Sequence, residues 1–497
     1  MGSQIPYISK LYAAAGRWRK KMRRAWAIEA VPAEGSTAHK GGGWLVDLRD
    51  GPVDEDGKPF LRPVAWRLVV GVLACSLVTV LVTGVFSLIM DAFCALFQSN
   101  VWLGLVLPLA GLVMFGLFTF SATPYNVGLS FLTRRLEVGQ KVPFVIVPLM
   151  FAGSCLTVLT GGSVGKGAAS MQIGTAIASK VHELTKLPLG AGPFLCACAM
   201  ASALTVIFGT PLAGAAFAIE VMHYRPKRLI SYIGVLFSAS LAKAISVFMG
   251  VSGVDESVSA LSLDPASIAD ALASLVRSTA ADPLGQGWAV VRMDVPGLDA
   301  GAQVIGTYCL VGALCIAAGA LFCFALTRGR SRFTKYPLMR LVIGGGLCGL
   351  FAYVSGGMFS GTGMEQINLA LAGSLTDSFF LGKALFTLAV LLLGFKGGDI
   401  MPTLCIGATL GAFLGSLLGV DPAFAAALGM VAFFTACTNC PIATIFLVIE
   451  SFGLVGSVWY IAAAAVSYVA TSRLSYYDNR RAFFSLPWDS KASTSKK

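Results

Sequence analysis

The sequence predicts an all-α integral membrane protein, built as an inverted repeat of tilted and broken transmembrane helices. Hydrophobic residues make up 56% of the 497 residues and charged residues only 12%, about half the charge of a typical soluble domain. The 56 glycines and 21 prolines interrupt many apolar runs. Non-helical backbone at membrane depth is tolerated only inside protein or beside an aqueous cavity. Motifs recur in the two halves, which predicts a duplicated fold with its site where the repeats meet.

The repeat is carried by glycine, proline and glutamate at matching spacings. Two ten-residue segments begin and end on glycine, GKGAASMQIG at 165–174 and GDIMPTLCIG at 398–407. After a similar gap, each is followed by a ten-residue stretch that begins with proline and ends with glutamate, at 211–220 and 441–450.

Ten apolar runs are candidates for membrane spans. The run from Leu68 to Met90 carries no charged residue, and at about 1.5 Å per residue it crosses a hydrocarbon core of roughly 30 Å. The other nine are Val101–Thr119, Pro143–Leu159, Pro188–Ile207, Leu229–Met249, Val304–Thr327, Leu341–Ser355, Phe379–Gly394, Pro422–Ala436 and Gly453–Ala470. Shorter apolar pieces between them, interrupted by glycine and proline, are expected to be broken or re-entrant helices.

The charge pattern predicts the topology. Basic residues form five clusters, at 17–24, 134–135, 225–228, 328–340 and 480–497. The positive-inside rule places these clusters in the cytoplasm, whereas the seven acids and two arginines of 252–303 predict an external linker. The net charge of +12 follows from this pattern and from attraction to lipid headgroups. It therefore gives no indication of nucleic-acid binding.

Five segments result. They are a cytoplasmic N-terminal segment at 1–65 with an amphipathic helix at 11–27, a first membrane repeat at 66–250, an acidic extracellular linker at 251–302, a second membrane repeat at 303–480 and a short cytoplasmic tail at 481–497. No small-residue cleavage site follows an early apolar region, so we expect no signal peptide.

Patterns typical of enzymes and metal sites are weak. The twelve cysteines are scattered through apolar segments, as expected of small buried hydrophobes. Cys437 and Cys440 have CxxC spacing, but no second pair or nearby histidine completes a metal site. No nucleophile–base pair or phosphate loop stands out. We therefore expect no enzyme activity, no metal and no cofactor.

The two glycine segments predict an anion site. Each leads into an apolar helix, and a helix N-terminus presents unpaired N–H groups and a partial positive charge. Small residues such as Gly167 and Ala168 let an ion approach the backbone. Two such termini meeting near the midplane would hold an anion. The competing interpretation is a pair of tight helix-packing turns, but the matching turn in both repeats favours the ion site.

Five motifs, in order, resemble those of the CLC family of chloride channels and chloride/proton antiporters. Residues 161–174 are similar to its G-K/R-E-G-P motif and the following helix, 398–402 to its G-x-F-x-P motif, 120–124 to its G-S-G-x-P motif, 208–220 to a further helix, and 475–478 to its pore-tyrosine segment. The resemblance covers about 66–478.

The resemblance implies a CLC-type fold, transport of chloride or another small anion, and a homodimer with one pore per subunit. Bound chloride would be the only ligand, and the cell inner membrane the location, with both termini cytoplasmic. The central anion site would use the hydroxyls of Ser121 and Tyr477 and the amides of Ile400 and Met401. Amides near Gly167 and Ala168, preceded by Gly165 and Lys166, would form an outer site.

Two of these assignments have structural alternatives. Ser121 is also suited to be a helix N-cap just ahead of Pro124. Tyr477 taken alone is typical of an aromatic residue at the membrane interface.

Two departures from the family pattern bear on mechanism. The gating glutamate of the family falls on Gly167, and its internal proton-transfer glutamate falls on Val221. Proton movement through a membrane needs titratable groups or ordered water. These two residues predict passive anion conduction without proton coupling.

Asp399 is a third departure, because the family usually has an apolar residue there. It aligns with Lys166 of the other repeat. It is either a substitute tethered anion in the pathway, or an acid in the first turn of a helix that pairs with Lys166 or Lys396.

Other functions remain open from the sequence. A proton-coupled antiporter would use acids such as Asp399, Glu220 or Glu450. A fluoride-handling relative is a further possibility, against which Ser121 argues. A non-transporting scaffold or receptor would bind a partner through 252–303, but that function gives no reason for the paired glycine turns.

Overall fold

The computed structural model describes residues 62–125, 127–137, 140–187, 191–222, 229–249, 295–297, 301–332, 337–454 and 456–471. The predicted amphipathic helix at 11–27, most of the acidic linker, Tyr477 and the C-terminal tail lie outside these ranges. The described chain is helical, and an isolated bridge between Gly165 and Gly398 is the β-type pairing found within it. The predicted fold class is confirmed.

The described part of the first repeat forms eight helices. They are α1 (Arg62–Ser99), α2 (Leu107–Phe120), α3 (Leu129–Glu137), α4 (Ile146–Leu159), α5 (Gly167–Thr185), α6 (Ala191–Phe208), α7 (Pro211–Val221) and α8 (Leu229–Phe248). A 3₁₀ helix at Val101–Val106 precedes α2.

The described part of the second repeat forms eight more in the same order. They are α9 (Ala302–Arg332), α10 (Pro337–Val354), α11 (Met364–Leu371), α12 (Phe379–Leu393), α13 (Ile400–Leu418), α14 (Pro422–Thr438), α15 (Pro441–Phe452) and α16 (Ser457–Ala470). A π-helical stretch at Arg340–Gly344 lies within α10. Helices at equal positions correspond, and α5 and α13 both have 19 residues.

The repeats are inverted, as α7 and α15 show. Glu220, near the end of α7, accepts hydrogen bonds from the first-turn amides of α15, Ile442 N–H at 3.1 Å and Ala443 N–H at 2.8 Å. Glu450 of α15 accepts from Leu212 and Ala213 of α7 at 2.9 and 2.8 Å. Each helix therefore caps the other, so the two run antiparallel.

All ten predicted spans are found as helices, and seven helices of the described residues are long and apolar enough to cross a membrane by length and composition. The first helix begins at Arg62, ahead of the predicted boundary at 66. The pieces expected to be broken or re-entrant form short helices that include α7, α11 and α15. The longer α5 and α13 also come from these pieces, because each begins at a glycine segment inside the protein.

The core lies where the middle helices of each repeat pack closely. Glycines permit this approach, since a Cβ on Gly174 of α5 would lie 2.9 Å from the carbonyl oxygen of Ala199 in α6. The equivalent Gly407 of α13 has the same spacing to the carbonyl oxygen of Gly429 in α14. Helices α1, α2, α8, α9 and α10 leave large apolar side chains exposed at the periphery, as expected of a surface that faces lipid.

Candidate functional site

The two glycine segments meet at the centre of the protein. Gly165 and Gly398 form a two-residue antiparallel bridge, with N–H···O distances of 2.7 Å in one direction and 2.6 Å in the other. A Cβ on Gly398 would lie 2.8 Å from the amide nitrogen of Ala168, and one on Gly165 would lie 2.9 Å from the Cβ of Met401. Glycine is therefore required for this contact, and the first turns of α5 and α13 lie beside each other because of it.

Both helices begin with amides that precede the helical hydrogen-bond ladder. In α5 the ladder starts with the Ser170 N–H, which donates to the carbonyl of Lys166, and in α13 with Thr403, which donates to Asp399. The amides of Gly167, Ala168, Ile400 and Met401 come before those bonds. Such amides are free to bind an anion and carry the positive end of the helix dipole.

Gly167 faces apolar side chains. A Cβ at this position would lie 3.1 Å from Cδ1 of Ile400 and 3.3 Å from Cε2 of Phe208. Ile400 and Phe208 also line a small cavity of about 20 Å³ between α6, α7, α14 and α15, which is room for about one water molecule. Among the residues that the structure describes, no ionisable side chain lines that cavity. Val221 is buried at the end of α7.

A larger open cavity of about 270 Å³ reaches the start of α5 from one side of the bridge. Its wall includes Ala168 and Gln172 of α5 and the Lys396–Asp399 segment before α13. Gln172 is buried, and its Oε1 has no hydrogen-bond partner. At about 30 Å³ per water molecule, the cavity has room for a small anion with part of its hydration shell.

Three cations line this cavity against one carboxylate. Arg330 lies in the last turn of α9, Arg340 lies in the π-helical stretch of α10, and Lys396 lies before α13. The Lys396 ammonium donates to the carbonyl of Tyr125 and lies over the rings of Phe118 and Tyr125, at 4.7 and 4.4 Å from their centroids. The described lining therefore has a net charge of +2, which favours an anion.

Asp399 is the carboxylate of this cavity. Among the described residues it pairs with neither Lys166 nor Lys396, the two partners suggested by the sequence. Its Oδ2 lies 3.8 Å from Nη2 of Arg330, and its side chain is buried. The antiparallel bridge explains the missing contact with Lys166, because residues that follow Gly165 and Gly398 leave the bridge on opposite sides. Lys396 lines the same cavity as Asp399 but donates to the carbonyl of Tyr125 instead.

Lys166 occupies the matching position on the other side of the bridge. Its ammonium lies 2.8 Å from both carboxylate oxygens of Asp91, near the end of α1, and 2.9 Å from the hydroxyl of Ser87. Lys166 is buried, whereas Asp91 is mostly exposed. The two repeats therefore place a buried cation on one side of the bridge and a buried carboxylate on the other.

Ser121 does not begin a helix. It follows the last residue of α2 as the C-cap, so the N-cap interpretation is wrong. Its hydroxyl is 2.9 Å from the carbonyl of Phe118 and 3.1 Å from the hydroxyl of Thr123. Ser121 is buried and does not line the larger cavity. Its predicted partner Tyr477 lies outside the described residues, so the central site built from these two hydroxyls stays a prediction.

Sequence reasoning missed several residues of this region. The sequence assigns Arg330 and Arg340 only to a cytoplasmic basic cluster. It indicates Lys396 only as a partner for Asp399, and it gives no role to Gln172 or Tyr125. The Tyr125 hydroxyl donates to the carbonyl of Gly394 at 3.0 Å. A lysine between apolar and glycine-rich segments was the available signal, because intramembrane charges usually mark a functional site.

Comparisons with known proteins agree on the family. The family model described as "Voltage gated chloride channel" matches residues 130–472. A chloride/fluoride channel protein of Pseudomonas syringae pv. tomato is 26% identical over 77% of this chain and 79% of its own length. The H(+)/Cl(-) exchange transporter ClcA of Vibrio cholerae is also 26% identical, over 61% of this chain and 62% of its own length.

Solved structures match in fold. A CLC-type fluoride/proton antiporter gives a TM-score of 0.72 at 22% identity, covering 85% of this chain and 99% of that one. A slow cyanobacterial Cl-/H+ antiporter gives 0.63 at 18% identity, covering 81% and 94%. The family model alone spans well over half of the sequence, and the chain therefore belongs to the voltage-gated chloride channel family, the CLC family.

Proposed function

We propose that this chain conducts chloride or another small anion passively, without coupling to protons. Anion transport itself follows from membership of the CLC family and from its relatives. The observation that carries the finer proposal is Gly167, which places no carboxylate at the first residue of α5. The apolar cavity beside it supports this, since the described part of its lining has no ionisable side chain that could exchange a proton.

Glu220 and Glu450 do not replace the missing carboxylates in this proposal. Each is buried and accepts two backbone N–H groups from the facing helix. A carboxylate held this way caps a helix, and protonating it would cost hydrogen bonds that connect the two repeats.

Proton-coupled exchange is the second candidate, and one observation favours it. Asp399 is a buried carboxylate on the wall of the open cavity, and ClcA of Vibrio cholerae is an H(+)/Cl(-) exchange transporter. In that case Asp399 would carry the proton on a route different from the one the family motifs suggest.

The experiment is ion flux from liposomes that hold the purified protein and potassium chloride. Chloride efflux and external pH are recorded together, with and without a potassium ionophore. Passive conduction requires the ionophore to balance charge and moves no protons when a protonophore is absent. Chloride efflux that drives protons uphill at a fixed ratio would overturn the proposal. Repeating the measurement with fluoride separates the chloride and fluoride alternatives.

Family membership also supports a homodimer in a prokaryotic inner membrane, with both termini cytoplasmic. A phosphatase that is active only outside the cytoplasm, fused to the C-terminus, should be inactive in cells. Chemical cross-linking in membranes should give a dimer. An active fusion would contradict the orientation, and a monomer alone would contradict the dimer.

A further inference from the structure

Two ion pairs lie on opposite sides of the glycine bridge, and the two pairs differ in which of their members is buried. On one side the buried member is the cation, since the Lys166 side chain is 7% exposed and that of Asp91 59%. On the other side it is the acid, since Asp399 is 8% exposed and Arg330 45%. Each buried member is the residue between a bridging glycine and the first turn of a helix. The equivalent positions of the two repeats therefore carry opposite charges on the two sides of the bridge.

The two ion pairs also differ in the distance between their charged groups. Lys166 lies at hydrogen-bond distance from both oxygens of Asp91. Asp399 lies 3.8 Å from Arg330, which is beyond hydrogen-bond distance. Arg330 is half-exposed on the wall of the open cavity, together with Arg340 and Lys396. A small anion in that cavity would meet the same guanidinium that Asp399 faces.

We propose that Asp399 limits anion access through the cavity, because its carboxylate competes with the permeant anion for Arg330 and lowers the positive charge of the mouth. This inference rests on the proposed anion conduction and deepens it. Asp399 then controls the anion current from the cavity side of the bridge. On the other side, Asp91 neutralises Lys166, so the pair adds little net charge there. The conductance should therefore differ for anions that enter from the two sides.

Neighbouring groups favour an anion in this cavity over a cation. The described lining carries Arg330, Arg340 and Lys396 against Asp399 alone. The buried amide of Gln172 also lies on the wall, and a rotation would present its NH₂ group to an anion. The backbone of Ala168 continues the wall to the amides at the start of α5, so an anion held here lies next to the candidate pathway.

The test compares Asp399→Asn and Arg330→Gln in planar bilayers with single insertions, so that each recording has one orientation. Removing the carboxylate should raise the current carried by anions that enter from the cavity side by about threefold to tenfold at low salt. Removing the guanidinium should lower that current. Both effects should shrink at high salt, because exposed charges are screened.

The opposite signs are the decisive result. If Asp399 and Arg330 serve only to hold the structure together, both substitutions break the same pair and change the current in the same direction. The inference would also be overturned if Asp399→Asn had the same current, the same rectification and the same salt dependence as the parent protein. Asp377→Asn is the matched control, since Asp377 is exposed in a turn before α12, and it should behave as the parent protein.

Failure of this inference differs from failure of the proposed function. The currents are recorded at equal pH on both sides, so their signs depend on charge in the cavity and not on proton coupling. If the protein proves to be a proton exchanger, Asp399→Asn abolishes proton movement, and the conduction proposal fails instead. Where Asp399→Asn does not fold, Arg330→Gln still tests the account, because unchanged access from the cavity side contradicts it.

Discussion

The side chain of residue 398 is a hydrogen atom, and the space that a larger one would occupy holds the amide of Ala168. A Cβ there would lie 2.8 Å from that nitrogen and 2.9 Å from the carbonyl oxygen of Gly165. Distances under 3.0 Å to backbone atoms require the backbone to move. Gly398 therefore keeps the two helix starts together and adds no side chain against the Ala168 amide.

Gly398→Ala should reduce anion flux by at least about tenfold, because the added methyl group covers the amide and separates the two first turns. Overpacking of this kind costs about 1–3 kcal/mol of stability. Flux from liposomes and thermal unfolding in detergent measure the two effects. Gly116→Ala is the control, since a Cβ there meets nothing within 4 Å. Parental flux in Gly398→Ala would show that the bridge is not part of the pathway.

At this scale the sequence predicted which residues start the two helices but not their ionic partners. Gly165, Gly167 and Gly398 were identified from the repeat, and the bridge brings them together. The pairs Lys166–Asp91 and Asp399–Arg330 join residues far apart in the chain, so their choice depends on tertiary geometry. No local pattern contains that information, and the suggested pairings of Asp399 failed for this reason.

Among the elements, α7 and α15 are connected by a reciprocal cap. Each begins with proline, which removes one N–H that a helix cannot satisfy, and each has its next two amides bound by a glutamate of the other helix. The sequence showed the equal spacing from proline to glutamate. It did not show the function of that spacing, which is to make each helix long enough to cap its antiparallel partner.

Glu220→Ala should lower the free energy of unfolding by about 1–3 kcal/mol, because it leaves buried amides of Ile442 and Ala443 without an acceptor. Glu450→Ala should have a similar effect at the other end. Glu220→Gln keeps one carbonyl oxygen and should recover part of the loss. Thermal unfolding in detergent measures all three.

Glu365→Ala is the matched control for these variants. Glu365 is exposed in the first turn of α11, and its loss should change stability by less than about 0.5 kcal/mol. A Glu220→Ala protein as stable as Glu365→Ala would mean that the reciprocal cap does not stabilise the contact between repeats.

Helices that contain a long apolar run were predicted as spans, although α1 extends beyond its predicted run of Leu68–Met90 at both ends. The spans around α1, α2, α8 and α9 came directly from long apolar runs, of which only that of α8 contains a charged residue, Lys243. The short α7, α11 and α15 were expected only as interrupted apolar pieces. Their length and angle follow from packing against the other repeat, which hydropathy does not report.

For the whole molecule, an inverted repeat places similar backbone on the two sides of the glycine bridge, but the charged side chains on the two sides differ. The glycine bridge and the reciprocal caps keep the pseudo-symmetry of the backbone. Lys166 and Asp399 break it, and the open cavity with its three cations lies on one side only among the described residues. The backbone is thus nearly symmetric about the bridge, whereas the electrostatic potential is more positive on the cavity side. This difference suits an anion current that depends on direction.

The central claim is that anions pass without protons, and a reversal potential tests it most directly. A chloride gradient is fixed across a planar bilayer that holds the protein, and the pH on one side is varied. Passive chloride conduction predicts a reversal potential at the chloride equilibrium value, about 59 mV per tenfold gradient of a monovalent ion, unchanged by pH. A reversal potential that moves with the pH gradient would contradict the account and establish coupled exchange.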